Sequence, residues 1–228
     1  MTDGDPQDGT EREGTDGDRP PQPEPIEPAA PSDFGRVQIW WGNGKGKTTA
    51  ALGMGLRAVG HGFRVHMLQF MKGGAPGVEP VRGEYNAIAQ VPGYTYENVG
   101  HYGWHTPTDE SDAAHAADAR AGLERARGLL EAASRADLAT PFSLDSSPDE
   151  GVHLLVLDEI LYAANRGLID PDAVVDLVET KPADLELVLT GGHEPPDYLG
   201  DRPDLIANVQ KVTHHFDDGV TGRRGTEY

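Results

Sequence analysis

The sequence predicts an α/β domain in three layers, with helices on both faces of a mainly parallel central sheet. Three observations predict it. Short apolar runs recur along the chain, at VQIW, RVHMLQF, VHLLVLD and LELVLT. Segments of helical composition separate them, and a glycine-rich turn joins the first run directly to the first helix. Continuously apolar strands that alternate with helices belong to a parallel sheet covered on both faces.

The first 34 residues hold little that can be buried: Gly, Pro, Asp, Glu and Thr dominate, with ten acidic residues and two arginines. Such a stretch cannot offset the entropy of ordering, so residues 1–34 are expected to be a disordered acidic tail and 35–228 the folded domain. Val37 to Trp40 is the first strand. The helix opening at Lys47 turns Ala51, Met54, Leu56 and Ala58 toward the sheet and stops at the Gly60–Gly62 breaker. Arg64 to Phe70 is the second strand. Met71 to Thr108 is rich in Gly, Pro and aromatics and reads as substrate-binding loops around a short helix near Glu84–Ala89. Asp109 to Ala133 is the clearest helix. A polar loop over 137–151 leads to a buried strand, Val152 to Glu159, that ends in two carboxylates. A helix around Asp172–Glu179 and a buried strand, Leu185–Thr190, follow. VQKVTHHFDDGVTGRRGTEY reads as a last strand and a glycine-punctuated tail.

Net charge is -19 with neutral histidines, from 38 acidic against 19 basic residues. No basic stripe is left to neutralise phosphates, which argues against a nucleic-acid partner. The excess suits a salt-rich cytoplasm, where ionic strength screens the repulsion between surface carboxylates. The absence of cysteine excludes disulfides, thiolate metal sites and a cysteine nucleophile. No apolar run approaches the roughly 20 residues that span a bilayer, and the N-terminus lacks the apolar core of a signal peptide. A cytoplasmic location without membrane contact is expected. The histidines do not suggest zinc. His214 and His215, adjacent on a strand, would face opposite ways, and His101 and His105 lie in a loop. His66 and His193 read as surface or loop-packing residues.

The chemistry concentrates in WGNGKGKTTA, Trp41 to Ala50, between the first strand and first helix. Gly42, Asn43, Gly44, Lys45 and Gly46 form a loop whose N–H groups can converge on an anion. Lys47 can reach terminal phosphates, the helix N-terminus adds partial positive charge, and Thr48 can offer an oxygen to Mg²⁺. Thr49 completes the motif. This is a P-loop, and with the parallel sheet it predicts a P-loop NTPase-like fold. The usual first glycine would fall at Trp41, so Gly42 comes one residue late. Asp158 and Glu159 end their strand at the same sheet edge as the loop, so one of them can hold the metal or its water, and alternation along a strand makes the two inequivalent. The sequence leaves open which one coordinates.

On these residues the chain resembles the P-loop class of ATP:corrinoid adenosyltransferases, which act on cob(I)alamin or cob(I)yrinic acid a,c-diamide. The resemblance rests on GNGKGKTTAALGMGLRAVGHG, VHMLQFMKG, PGYTYE, LLVLDEILYA and HHFDDGVTGRRGTEY, in order over most of residues 36–228. With the charge excess, it points to a halophilic archaeon as the source. It implies a homodimer that uses ATP with Mg²⁺ or Mn²⁺ and accepts electrons from a transient reductase partner. The 5′-deoxyadenosyl group moves to reduced corrinoid cobalt, triphosphate leaves, and the step serves adenosylcobalamin biosynthesis or salvage. Lys47, Thr48 and Glu159 are then the catalytic candidates, and Thr48, Glu159 and Asp158 the metal candidates. Nucleotide and corrinoid would contact Gly42 to Thr49, Gln69 and the aromatic pair Tyr94 and Tyr96. Lys45 is a further phosphate candidate, and Lys72 a loop- or nucleotide-positioning one.

The pattern is departed from in places. Tyr94 and Tyr96 stand where relatives commonly carry Phe and Trp. Gly192 in TGGH stands for an arginine, Ala207–Asn208 for Thr–Glu, and Thr213 for lysine. Arg223 or Arg224 could compensate. The alternatives are a P-loop ATPase or small-molecule kinase, and a corrinoid- or nucleotide-binding protein without turnover.

Overall fold

The computed structural model describes residues 22–73, 82–101, 109–220 and 223–226. Among them, six strands form one sheet in the order β3-β2-β4-β5-β1-β6, and every pairing is parallel. The strands are β1 (Val37–Trp41), β2 (Val65–Phe70), β3 (Tyr94–Val99), β4 (Leu154–Asp158), β5 (Glu186–Thr190) and β6 (Leu205–Asn208). The helices are α1 (Lys47–Gly60), α2 (Gly83–Ile88), α3 (Asp109–Arg135), α4 (Ile160–Asn165) and α5 (Pro171–Thr180).

Alternation along the central strands builds the layers. Val65 and Met67 of β2, Leu154 and Val156 of β4, and Val188 of β5 pack with Ala51, Ala58 and Val59 of α1 and Ile88 of α2. Their neighbours Leu68, Phe70, Leu155, Leu157, Leu187 and Leu189 face α3, α4 and α5 on the other side. This is the three-layer α/β fold with a parallel sheet that the sequence predicts. Both faces of β2, β4 and β5 are buried, so apolar residues fall on both sides of these strands, interrupted in β2 by the buried His66 and Gln69.

The two edges depart from expectation. The stretch read as loops contains β3, an edge strand paired with β2 from Val65↔Tyr94 to Phe70↔Val99. Its sequence, YTYENV, is β-prone but carries Glu97 and Asn98, because an edge strand need not be apolar on both sides. The last strand falls earlier than VQKVT. Among the described residues β6 pairs only with β1, its side chains are mostly exposed, and the chain leaves the sheet at Val209.

Of the expected tail, residues 1–21 lie outside the described residues. Residues 22–34 run onto the domain: the Ala29 N–H donates to Gly62 O at 3.0 Å, and Phe34 meets Phe63 edge-on at 5.3 Å. Gly62 takes a φ of 79°, and a β-carbon there would sit 1.8 Å from Glu27 O, so glycine is what lets this segment approach. Few apolar residues suffice for that contact, which is why composition alone did not reveal it.

His214 and His215 are not on a strand. They start a 3₁₀ turn with their rings stacked at 4.6 Å. His66, read as a surface or loop residue, is wholly buried on β2. His105 lies outside the described residues.

Candidate functional site

The carboxyl ends of the strands share one edge, so the turn after β1, Lys72 after β2, Asp158 and Glu159 at the end of β4, and Thr190 at the end of β5 converge there. The glycine loop is held from behind by the chain that leaves β6. Gly44 N–H donates to Val209 O at 2.7 Å, and Asn43 Oδ1 accepts from the Lys211 N–H at 2.9 Å. Gly42, with φ 120°, lies so close to this segment that a β-carbon would fall 2.3 Å from Val209 O. The late glycine of the motif is thus explained: Trp41 remains in β1, and the sharp turn starts at Gly42. Lys47 Nζ donates to Gly42 O at 2.6 Å and Gly44 O at 2.8 Å, which lays its ammonium across the loop. Burial lowers its pKa, partly offset by the charges of Glu159 and Asp158.

Asp158 is the hub. It is fully buried and accepts from Thr48 Oγ1 at 3.0 Å, Gln69 Nε2 at 3.0 Å, Lys72 Nζ at 2.6 Å and Thr190 Oγ1 at 2.5 Å. Burial opposes its charge, but the Lys72 ammonium and the hydrogen bonds outweigh that and hold the carboxyl below its ordinary value. Glu159 differs. Its backbone is left-handed at φ 63°, its N–H donates to Thr190 Oγ1 at 3.1 Å, and its side chain lines the cavity beside the loop. Burial and the neighbouring Asp158 charge raise its pKa. A hydroxyl and a carboxylate in hydrogen-bond contact, Thr48 and Asp158, are hard oxygen donors that fit Mg²⁺. Among the described residues no cluster of three or more His, Cys, Asp or Glu could hold a metal.

A cavity of about 360 Å³ opens over the loop, between Gly44–Thr49 on one side and Lys72, Arg82, Glu84 and Glu159 on the other, with Gly225 and Thr226 at its rim. That is a small-molecule size. Thr49, Leu52 and Glu84 also line a second, apolar hollow of about 260 Å³ formed with Gly53, Leu56, Ala87, Ile88, Val91 and Tyr94. Tyr94 floors it. The ring is buried under α1, a β-carbon on Gly55 would lie 2.4 Å from its hydroxyl, and burial pushes the phenol pKa up. Tyr96 does not line this hollow; its ring stacks on Tyr85 of α2 at 4.5 Å.

The structure therefore brings Gly44, Lys45, Gly46, Lys47, Thr48, Thr49 and Glu159 to one cavity, with Gln69 and Asp158 beneath it. Asn43 instead faces a polar hollow with Trp41, His193, Asn208 and Lys211. Thr190 is a site residue the sequence reading did not single out. Its signal was a hydroxyl ending an apolar strand at the loop's edge. Gly192, where an arginine was noted as missing, has φ 75°, and a β-carbon would fall 2.6 Å from Asn165 Oδ1, so this turn is packed against α4.

Comparison with known proteins accords with this geometry. The family model described as ATP:corrinoid adenosyltransferase BtuR/CobO/CobP matches residues 33–228. A corrinoid adenosyltransferase of Escherichia coli K12 is 31% identical over 204 residues, covering 87% of this chain and 88% of that protein. One from Pseudomonas aeruginosa PAO1 is 30% identical over 201 residues, 87% and 86% of the two chains. Corrinoid adenosyltransferase CobA of Salmonella typhimurium LT2 is 30% identical over 204 residues, 87% and 88%. With the glycine loop, the buried carboxylate and the parallel sheet in place, these matches show that the chain belongs to the ATP:corrinoid adenosyltransferase family.

Proposed function

We infer that this protein uses ATP to adenosylate a corrinoid, with the 5′-deoxyadenosyl group passing to the reduced cobalt. The observation that carries this is the junction of two unlike hollows. A phosphate cradle and an apolar recess share Thr49, Leu52 and Glu84. Such a recess suits the apolar face of a flat ring, and the family match makes a corrinoid the acceptor to test there.

In the reaction, cobalt(I) supplies the electron pair for the new Co–C5′ bond, and the C5′–O bond breaks with its electrons leaving on triphosphate. No proton is removed from the nucleophile, so the protein needs no general base. Its work is alignment and stabilisation of charge on the leaving group. The N–H groups of Lys45 to Thr48 and the Lys47 ammonium are suited to the triphosphate, while the Gly44 N–H is taken up by Val209 O. Thr48 and Asp158 would hold Mg²⁺, which when bound neutralises phosphate charge. Gln69 and Thr190 fix the Asp158 carboxylate through hydrogen bonds of 3.0 and 2.5 Å. Glu159 lines the cavity wall, where it can hydrogen-bond the nucleotide or a water of the cation. Tyr94 would pack against the ring's face, and Tyr96 would support α2 through Tyr85.

The homodimer is supported by Leu205, Ile206, Val212 and Phe216, large apolar residues left exposed along β6 and the chain after it. Delivery of electrons by a reductase and a cytoplasmic setting complete the proposal. No helix among the described residues is long and apolar enough to cross a membrane. The test is anaerobic mixing of the protein with ATP, Mg²⁺ and chemically reduced cob(I)alamin at high salt. The expected product is a light-sensitive alkylcobalt spectrum, and its absence over many turnovers of a family enzyme would reject the reading.

A further inference from the structure

Lys72 is placed with unusual care. It follows Met71, whose φ of 56° is left-handed; Met71 and Glu159 are the non-glycine residues of that kind among the described residues, and they flank Asp158 from two strands. Such backbone costs energy and persists where its surroundings determine it. Here the Met71 N–H donates to Val99 O at 2.9 Å, and Gly73 lies so close to Gly100 that a β-carbon would meet Gly100 O at 2.4 Å. The turn sends the Lys72 side chain back over the sheet edge. Its Nζ donates to Asp158 Oδ2 at 2.6 Å and to Thr48 Oγ1 at 3.0 Å, with only 14% of the side chain exposed.

These are the two side chains whose oxygens suit the divalent cation. An ammonium in contact with both occupies the ground the metal needs, and the two cations cannot share it without strong repulsion. A fully buried carboxylate also needs a positive partner at all times, because an unpaired buried charge is costly. We propose that Lys72 is an internal competitor of the divalent cation: it neutralises Asp158 itself, yields Thr48 and Asp158 when metal and nucleotide enter together, and turns its ammonium to the phosphates. Metal alone then binds poorly, while metal with ATP binds well, because only the phosphates give the displaced ammonium a new partner. Lys72 lines the same cavity as Lys45 and Lys47, so the move is a short one. This rests on the nucleotide reading of the site. It makes Lys72 a positioning residue that couples metal binding to ATP.

The experiment is titration of the full-length protein with Mn²⁺, followed by electron paramagnetic resonance of free Mn²⁺, with and without ATP. Lys72→Met removes the competitor and should tighten binding of Mn²⁺ alone by about tenfold or more, equivalent to at least about 1.4 kcal/mol. Lys72→Gln, which can still donate to Asp158 and protects against misfolding of the Met variant, should shift in the same direction. Lys72→Arg keeps the charge and should stay weak. In the wild type, ATP should tighten Mn²⁺ binding more than it does in Lys72→Met. A purely structural ion pair predicts lower melting temperatures for Lys72→Met and Lys72→Gln with Mn²⁺ affinity within about twofold of wild type, and that result overturns the proposal. The metal-alone comparison decides this whether or not ATP binds. Failure of wild type to bind ATP would instead count against the transferase reading.

Discussion

Asp158 and Glu159 are adjacent carboxylates in opposite settings. Asp158 accepts from four side chains and is held ionised, whereas burial and its neighbour's charge raise the pKa of Glu159. Asp158→Asn should therefore cost roughly 3–5 kcal/mol, because it leaves the Lys72 ammonium buried without its counter-charge. Glu159→Gln should change stability by less than about 1 kcal/mol, since it removes a repulsion as it removes a charge. Urea unfolding midpoints of the two variants check this, and equal losses would contradict it. His66 gives a pH prediction. Burial lowers its pKa to about 4, against the pull of Glu97 and alongside the push of Arg125 and Arg64. The unfolded histidine takes up its proton near its ordinary value, so between these two pKa values the unfolded state binds more protons and stability rises with pH. Acidification from pH 7 to 5 should cost about 2 kcal/mol through this group alone. His66→Gln, which keeps a polar partner for Thr95, should lose less over that range; parallel pH curves for variant and wild type would argue against the effect. The glycine loop was legible in the sequence because its pattern is local, and six of its eight residues, Gly44 to Thr49, line one cavity. The contrast between the settings of Asp158 and Glu159 was not, because it depends on Thr48, Gln69, Lys72 and Thr190 arriving from four separate parts of the chain.

At the scale of elements, α3 carries two glycines with opposite meanings. A β-carbon on Gly122 would lie 2.6 Å from Val99 Cγ2 and 2.7 Å from Phe70 Cε1, while one on Gly128 would meet nothing within 4 Å. The first glycine permits the helix to close on β2 and β3; the second is only a weak point. Gly128→Ala should stabilise by about 0.5–1 kcal/mol through helix propensity, and Gly122→Ala should destabilise by about 1–3 kcal/mol through overpacking. Thermal unfolding of the two variants tests the pair, and the same sign for both would show that this contact is not tight. Central strands were readable because both their faces are buried. β3 and β6 were not, since an edge strand with Glu97 on it, or with exposed Leu205 and Ile206, carries no continuous apolar run. The expected last strand was displaced for a related reason: Val209 to Lys211 bond back to the glycine loop instead of extending the sheet.

For the whole molecule, the alternation of apolar runs and helices was enough to predict three layers, since only a parallel sheet buries such strands on both sides. Composition was less informative about the boundary of the folded part. Residues 27–34 are poor in large apolar groups yet lie against the turn after α1, using backbone contacts and Phe34. The charge of -19 speaks to solvent and partners rather than to fold. What joins the levels is the sheet's carboxyl edge, where the glycine loop and the buried carboxylate meet and an apolar recess adjoins them through Thr49, Leu52 and Glu84. The central claim is that this edge releases the phosphates of ATP as one unit. Phosphorus NMR of the products formed anaerobically from ATP, Mg²⁺ and reduced corrinoid tests it most directly. The account predicts intact triphosphate, appearing in step with the alkylcobalt spectrum and lost in Lys47→Ala. ADP and inorganic phosphate without alkylcobalt would contradict it and identify a phosphate-cleaving enzyme instead.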